Sequence, residues 1–255
     1  MINMMENTLL NIVIPMAGLG SRFSNQGYEK PKPFVDVLGK PMIVNVLENL
    51  KYDDARYILI ARKEHLEQEA EIVAQIQRQF NAVIIPIEET TEGTACTVLY
   101  AREFINNNEP LIIANSDQIV DLDIMNFIDD SKERALDGSI LTFIDKSKNP
   151  KWSFAKTDKN GFVIEVKEKK AISNIATVGV YLFRKGKFFI DASLDMIIRN
   201  DRVNNEFYTC PCFNYAIKDN KKIGIFNILE TAMHGIGTPE DLEKYIYYKS
   251  NLESN

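Results

Sequence analysis

Four short β-branched runs, each followed by a longer amphipathic or polar stretch, constrain this chain more than any other feature. Asn11-Ile-Val-Ile-Pro15, Tyr57-Ile-Leu-Ile60 and Ala82-Val-Ile-Ile-Pro86 read as buried strands. The fourth, Pro110-Leu-Ile-Ile-Ala114, is apolar throughout, as expected of a central strand covered on both faces. Between them the spacing predicts a helix over 41–50 with proline at its start, and another over 94–104. A long helix is predicted over 63–80, where Leu66, Ala70, Val73 and Ile76 share one face. Such alternation predicts a single α/β domain with a mostly parallel, mixed sheet flanked by helices.

After about residue 138 the rhythm changes. Strands are expected over 139–144, 162–167 and 177–183, with turn signals at Lys159-Asn-Gly161 and Lys185-Gly186. Helices over 188–198 and 208–217, a strand over 222–227 and a last helix from Pro239 complete the pattern. No composition break separates the halves, so 1–255 reads as one domain: an NTP-binding half over about 11–137 and an acceptor half over about 138–245.

Composition narrows the function. The 255 residues carry 30 Lys+Arg against 36 Asp+Glu, a net charge of −6, which argues against a nucleic-acid binder. No run approaches the apolar length of a membrane span, and Met1 to Leu10 lacks the basic start of a signal peptide, so a soluble, cytoplasmic protein without a membrane partner is expected. Cys96, Cys210 and Cys212 form no zinc-site pattern and read as reduced thiols, and His65 and His234 alone exclude a histidine-rich metal centre.

The acidic total hides a basic stretch. Gly18-Leu-Gly20 directly follows the first strand, where a turn can aim backbone N–H groups at an anion. It is neither a dinucleotide fingerprint, because Phe23 stands where a third glycine belongs, nor a Walker A loop. Ser21 adds a hydroxyl and Arg22 a fork suited to phosphate oxygens. Glu29-Lys30-Pro31-Lys32-Pro33 then brackets two cations with prolines, and Lys40-Pro41 opens the next helix. From Ala17 to Met42 there are four cations against two acids, a setting for a polyphosphate.

Gly18-Leu-Gly20-Ser21-Arg22, then Pro31-Lys32, then Lys40-Pro41 eight residues after Lys32, resembles the signature of nucleotidyltransferases that join an NTP to a phosphorylated small molecule. These include glucose-1-phosphate thymidylyl- and uridylyltransferases and bacterial choline-phosphate cytidylyltransferases. The resemblance implies a nucleotide-diphospho-sugar transferase fold, Rossmann-type and similar to glycosyltransferase type A. It assigns Ala17, Gly18, Gly20 and Ser21 to the nucleotide, with Arg22 and Lys32 as catalytic cations. Glu92-Gly93-Thr94-Ala95 is similar to the family turn whose backbone lies against the nucleobase, which adds Gly93 and Thr94. Asp117, in Asn115-Ser116-Asp117, resembles the Mg²⁺-binding aspartate. Glu168 and Lys169, with Gly179 in the following strand, resemble the acceptor-binding segment, although Lys170 replaces the usual proline. Where many members carry a second metal-ligating aspartate this chain has Gly235, and Glu206 is the candidate substitute. Trp152-Ser153-Phe154 reads either as core or as acceptor-pocket wall.

The activity the resemblance implies is attack of an acceptor phosphate on an NTP, a pyrimidine one by preference (CTP, dTTP or UTP), with Mg²⁺ as cofactor. It implies as acceptor a sugar 1-phosphate or another small phosphorylated metabolite, and a product expected to serve capsule or other polysaccharide biosynthesis. A homo-oligomer is compatible with the resemblance. Two alternatives stand beside it. One is a glycosyltransferase using a nucleotide-sugar, for which Asp121-Leu-Asp123 has the expected acidic spacing. The other is a non-catalytic nucleotide-binding member, prompted by Gly235.

Overall fold

In the computed structural model, residues 9–253 are described; residues 1–8, 254 and 255, and with them most of the stretch read as lacking a signal peptide, lie outside the described residues. In chain order the strands are β1 (Leu10–Pro15), β2 (Asp36–Val37), β3 (Lys40–Pro41), β4 (Ala55–Arg62), β5 (Val83–Ile87), β6 (Leu111–Ala114) and β7 (Gln118–Val120). β8 (Gly138–Ile144), β9 (Phe154–Thr157), β10 (Val163–Lys167), β11 (Ile175–Phe183), β12 (Ile223–Ile228) and β13 (Met233–Gly235) follow. The helices are α1 (Ser21–Ser24), α2 (Met42–Asn49), α3 (Lys63–Gln68), α4 (Ala70–Phe80), α5 (Thr94–Val98) and α6 (Arg102–Ile105). After them come α7 (Ile124–Glu133), α8 (Gly186–Ile198), α9 (Cys212–Lys218) and α10 (Pro239–Glu253).

β1 sits between β4 and β6, parallel to both, and β5 extends the parallel set beyond β4. The chain therefore leaves β1 to one side and returns, at β6, to the other. A crevice opens at the carboxyl ends of strands wherever an open sheet reverses direction in this way. β11 lies antiparallel to β6 and also pairs with β8 and β9, so it joins the two halves of one nine-stranded mixed sheet among the described residues. β12 runs parallel to β8.

Strand periodicity divides the core into two layers. Ile12 and Ile14 of β1 face a layer closed by Val46 of α2, Phe127 of α7 and Leu242 of α10. Val13 faces the other, closed by Val98 of α5, Phe189 of α8 and Phe213 of α9. Each such buried side chain contributes about 1.5–3 kcal/mol. Cys96, Cys210 and Cys212 are free thiols, the latter two buried. No helix among the described residues is long and apolar enough to cross a membrane.

Several elements differ from expectation. The helix predicted over 63–80 breaks at Glu69 (φ −115°, ψ 37°) into α3 and α4. At the break Gln68 Nε2 donates to the Glu29 carbonyl (3.2 Å), and the Glu69 carboxylate lies 3.9 Å from Lys30. Likewise 94–104 is α5, a 3₁₀ turn (Leu99–Ala101) and α6. The helix predicted over 208–217 starts only at Cys212, because Tyr208 and Thr209 are spent on the site described next. β9 and the β13–β7 pair were not foreseen.

Candidate active site

Two cavities lie side by side at the carboxyl ends of β1 and β6. The smaller measures ≈ 430 Å³ and the larger cleft ≈ 770 Å³. Arg22, Lys32, Thr94, Asn115, Asp117 and Gly237 line both.

The glycine loop enters the smaller cavity directly from β1. Gly20 adopts a left-handed conformation (φ 63°, ψ 24°), and a Cβ there would come within 2.9 Å of Lys32 Cβ. Only glycine permits both the backbone sign and this approach. The Gly20 carbonyl accepts from Phe23 N (2.9 Å), and buried Phe23 packs edge-on against Tyr28 with ring centroids 5.0 Å apart. Ser21 and Arg22 are thereby left exposed on the cavity wall. Gly18 also lines this cavity, and a Cβ built on it would meet no atom within 4 Å. Ala17 is instead buried in the apolar layer beneath the loop.

Of the four cations noted in this stretch, Arg22 and Lys32 line the cavities. Lys32 opens a 3₁₀ turn fixed by buried Pro33 and Phe34, and its Nζ donates to Asp117 Oδ2 in an ion pair. Lys30 is drawn to Glu69, and Lys40 binds the Glu48 carboxylate (2.8 Å).

Asp117 occupies the turn between β6 and β7. Its carbonyl accepts from Ile236 N (2.9 Å), and the missing side chain of Gly237 makes room for its carboxylate. Asn115 N donates to the carbonyl of Gly179 (2.9 Å), which lies in an irregularity of β11 between Thr177 and Tyr181. Gly235, where an aspartate was sought, pairs with Gln118 across β13 and β7. Glu206 sits in the turn closed by its bonds to Val203, beside Lys169 and Tyr208, and lines neither cavity. No group of three or more His, Cys, Asp or Glu among the described residues is arranged to hold a metal.

The 92–95 turn is fastened to Phe207 and Thr209, at the start of the stretch predicted as a helix over 208–217. Phe207 N donates to the Glu92 carbonyl (2.7 Å), and Ala95 N donates to the Phe207 carbonyl (2.9 Å). Thr94 Oγ1 accepts from Thr209 N and from its hydroxyl, both at 3.1 Å. Gly93 has φ 127°, and a Cβ there would collide with the Phe207 backbone. Its lack of a side chain serves this junction, while Thr94 reaches the cavities.

Glu168 and Lys169 line the larger cleft with Gly179. Burial pushes the Glu168 carboxyl up, opposed in part by a hydrogen bond from Ser153 Oγ and by the charge of Lys169. Lys169 Nζ donates to Tyr208 Oη (2.5 Å) and lies 4.5 Å from the centre of that ring. Trp152 both packs edge-on against Phe143 (5.3 Å) and lines the cleft; Phe154 is core.

The far wall comes from the C-terminus. His234 of β13 and Asp241, Lys244, Tyr245 and Tyr248 of α10 line the cleft, the α10 contribution having no motif to announce it. Asp121 fastens this wall: its Oδ2 lies 2.6 Å from His234 Nε2 and accepts from Tyr248 Oη (3.1 Å), while Lys249 Nζ is 3.6 Å from Oδ1. Asp123 caps α7 through Met125 N (2.9 Å). Both acids of Asp121-Leu-Asp123 thus have structural partners, and neither lines a cavity.

The nucleotidyl transferase family model matches residues 12–243. The chain is similar to the mannose-1-phosphate guanylyltransferase catalytic subunit beta of Dictyostelium discoideum, 24% identical over 177 residues, 68% of this chain and 49% of the relative. It spans about half the length of the curated relatives it matches. Among solved structures, a nucleoside-diphosphate-sugar pyrophosphorylase from Vibrio cholerae superposes with TM-score 0.78 at 24% identity, covering 92% of this chain and 99% of that one. An inositol-1-phosphate CTP transferase from T. maritima gives TM-score 0.71 at 12% identity, covering 94% of each. With a single α/β domain of this architecture and a family match over nearly its whole length, the chain belongs to the nucleotidyl transferase family.

Proposed function

We propose that this protein joins an NTP, pyrimidine by preference, to a sugar 1-phosphate or other small phosphorylated acceptor, releasing pyrophosphate. The observation that carries this reading is the Lys32–Asp117 pair on the wall common to both cavities, with Arg22 beside it. The smaller cavity is built from residues 15–117 plus Gly237, and the larger draws most of its wall from residues beyond 149. This supports 11–137 as the NTP half and 138–245 as the acceptor half.

The reaction is displacement at phosphorus. An acceptor phosphate oxygen attacks the α-phosphorus, and the bond to the bridging oxygen breaks as pyrophosphate leaves. A phosphate monoester is already largely an anion near neutral pH, so no general base is needed. The burden on the protein is to bring two anions together and to offset the charge that develops. Lys32 and Arg22 supply fixed positive charge where the cavities meet. The backbone of Gly18, Gly20 and Ser21 positions the triphosphate, and Thr94 reaches both cavities.

The donor set suits Mg²⁺, which is commonly held by one or two carboxylates together with substrate phosphates. Asp117 offers one such carboxylate on the shared wall, whereas Glu206, away from both cavities, is set aside as a ligand. Bound there, the cation would neutralise phosphate charge.

A cytoplasmic site of action and a product destined for polysaccharide synthesis complete this reading. Its test is a matrix of NTPs against phosphorylated metabolites with Mg²⁺, read by pyrophosphate release. Release that requires one NTP and one phosphorylated acceptor supports it. Nucleotide binding without turnover on any acceptor favours a non-catalytic member, and turnover of a nucleotide-sugar favours a glycosyltransferase.

A further inference from the structure

The loop that follows α8 reaches across to the 92–95 turn, and one side chain organises it. Val203 and Glu206 exchange main-chain bonds, each 3.0 Å, around Asn204 (φ 51°) and Asn205 (φ 64°). Asn200 is left-handed as well (φ 51°), so three asparagines hold a backbone region that most side chains avoid. Arg202 ties this shape together. Its Nε donates to Asn200 Oδ1 (2.6 Å) and its Nη1 to the Asn205 carbonyl (3.2 Å). The guanidinium lies 4.1 Å from the centre of the Phe207 ring, and Nη2 donates to Glu92 Oε2 (2.7 Å). An isolated surface ion pair adds little, but a planar fork already fixed by two oxygens and a ring meets its carboxylate pre-oriented.

The residues that Arg202 holds bear on the smaller cavity. Phe207 exchanges main-chain bonds with Glu92 and Ala95, and Thr209 binds Thr94, which lines both cavities. Tyr208, between Phe207 and Thr209, faces the larger cleft and has its own anchor in Lys169. Arg202 itself lines neither cavity. We propose that Arg202 is a positioning residue for the NTP: through Glu92 and Phe207 it fixes the 92–95 turn and so sets Thr94 on the cavity wall. This rests on the nucleotidyltransfer reading, since it requires a nucleotide in the smaller cavity. Because Tyr208 is anchored separately, the effect of Arg202 falls on the nucleotide and not on the acceptor.

The test uses the whole protein as wild type, Arg202→Ala, Arg202→Lys and Glu92→Ala. Without ligand, amide hydrogen exchange is followed at Ala95 and Phe207, whose N–H groups close the junction. Arg202→Ala is expected to quicken it about tenfold at both, with Val13 of β1 unchanged. Initial rates are measured with CTP, dTTP or UTP against glucose 1-phosphate or mannose 1-phosphate. Arg202→Ala raises the NTP KM about tenfold, as for one lost charge-assisted bond, while kcat and the acceptor KM stay within about twofold. Arg202→Lys stays at the alanine value, because an ammonium keeps the charge but loses the fork and the stacked face. Glu92→Ala moves the NTP KM the same way by about threefold, since Arg202 retains its other partners. Should Arg202→Ala fail to fold, Glu92→Ala, at an exposed carboxylate, breaks the same contact and carries the test.

An unmoved NTP KM, equal rises in both KM values, unchanged exchange at Ala95 and Phe207, or full rescue by lysine overturns the proposal. If the wild type turns over no phosphorylated acceptor, calorimetry with CTP, dTTP and UTP replaces the KM. Binding about tenfold weaker in Arg202→Ala then upholds the role of Arg202 and refutes the transferase reading. No binding to the wild type overturns both.

Discussion

Lys32 and Asp117 form an ion pair across 85 residues of sequence, on the wall where the two cavities meet. The pairing sets the cation against the acid proposed as a metal ligand, so that each orients the other. Lys32→Ala is expected to lower kcat on the order of 10²–10³, as for the loss of one preorganised donor. Asp117→Asn should also cut turnover and flatten its dependence on Mg²⁺ concentration. The double variant should fall little below the worse single one, because the two act as a unit. Retention of near wild-type kcat by Lys32→Ala would remove Lys32 from the reaction.

Asp121 separates the transferase reading from the glycosyltransferase one. Its partners His234, Tyr248 and Lys249 hold α10 against the larger cleft. Asp121→Asn is expected to weaken acceptor binding with less than about a tenfold change in kcat, since the loss is one of positioning. Nucleotide affinity, measured by calorimetry, should be unchanged. A complete loss of activity with loss of metal dependence would instead mark Asp121 as a metal ligand.

Gly93→Ala probes the junction between the 92–95 turn and Phe207. With φ 127° and the Phe207 backbone where a Cβ would stand, the substitution must strain or displace the turn. A cost of about 1–3 kcal/mol is expected, seen as a lower urea midpoint with an unchanged slope. Gly161→Ala, at φ 80° with no atom near its Cβ, controls for backbone sign alone and should cost less.

Asp145 gives a pH signature away from the site. Burial pushes its carboxyl up, but bonds from Ser147 N (2.8 Å), Ser147 Oγ (2.5 Å) and Asn149 N (2.7 Å) outweigh it and hold the group below its ordinary value. A depressed carboxyl contributes stability that is full above its unfolded pKa, about 3.9, and is lost as pH falls through the folded value. Urea midpoints of wild type and Asp145→Asn should therefore differ near neutrality and converge below about pH 4. A gap that persists unchanged into strong acid would contradict the assignment.

The parallel strands and the glycine loop were legible because burial on both faces and a forced left-handed turn leave marks on neighbouring residues. Val13 and Ile14 had to be apolar wherever the helices packed, and Gly20 had to lack a side chain once Lys32 lay against it. Other features leave no such mark. β13 holds its place through main-chain pairing with β7, so Met233-His234-Gly235 shows no alternation. The break at Glu69 was invisible because Leu66, Val73 and Ile76 keep their apolar face across it. The aromatic wall of α10 was illegible for a different reason: its partner, Asp121, lies more than a hundred residues away, and its own spacing is that of an ordinary amphipathic helix.

β11 touches β6, β8 and β9, and its Gly179 carbonyl binds Asn115 beside Asp117. For protein engineering this makes it the keel of the molecule. On the proposed reading, a change there reaches Asn115 on the wall shared by both cavities, whereas the segments flanking the β9–β10 hairpin and α10 line the larger cleft alone. Libraries that aim to exchange one acceptor for another without disturbing nucleotide choice belong on residues 150–153 and 241–248, with β11 left untouched.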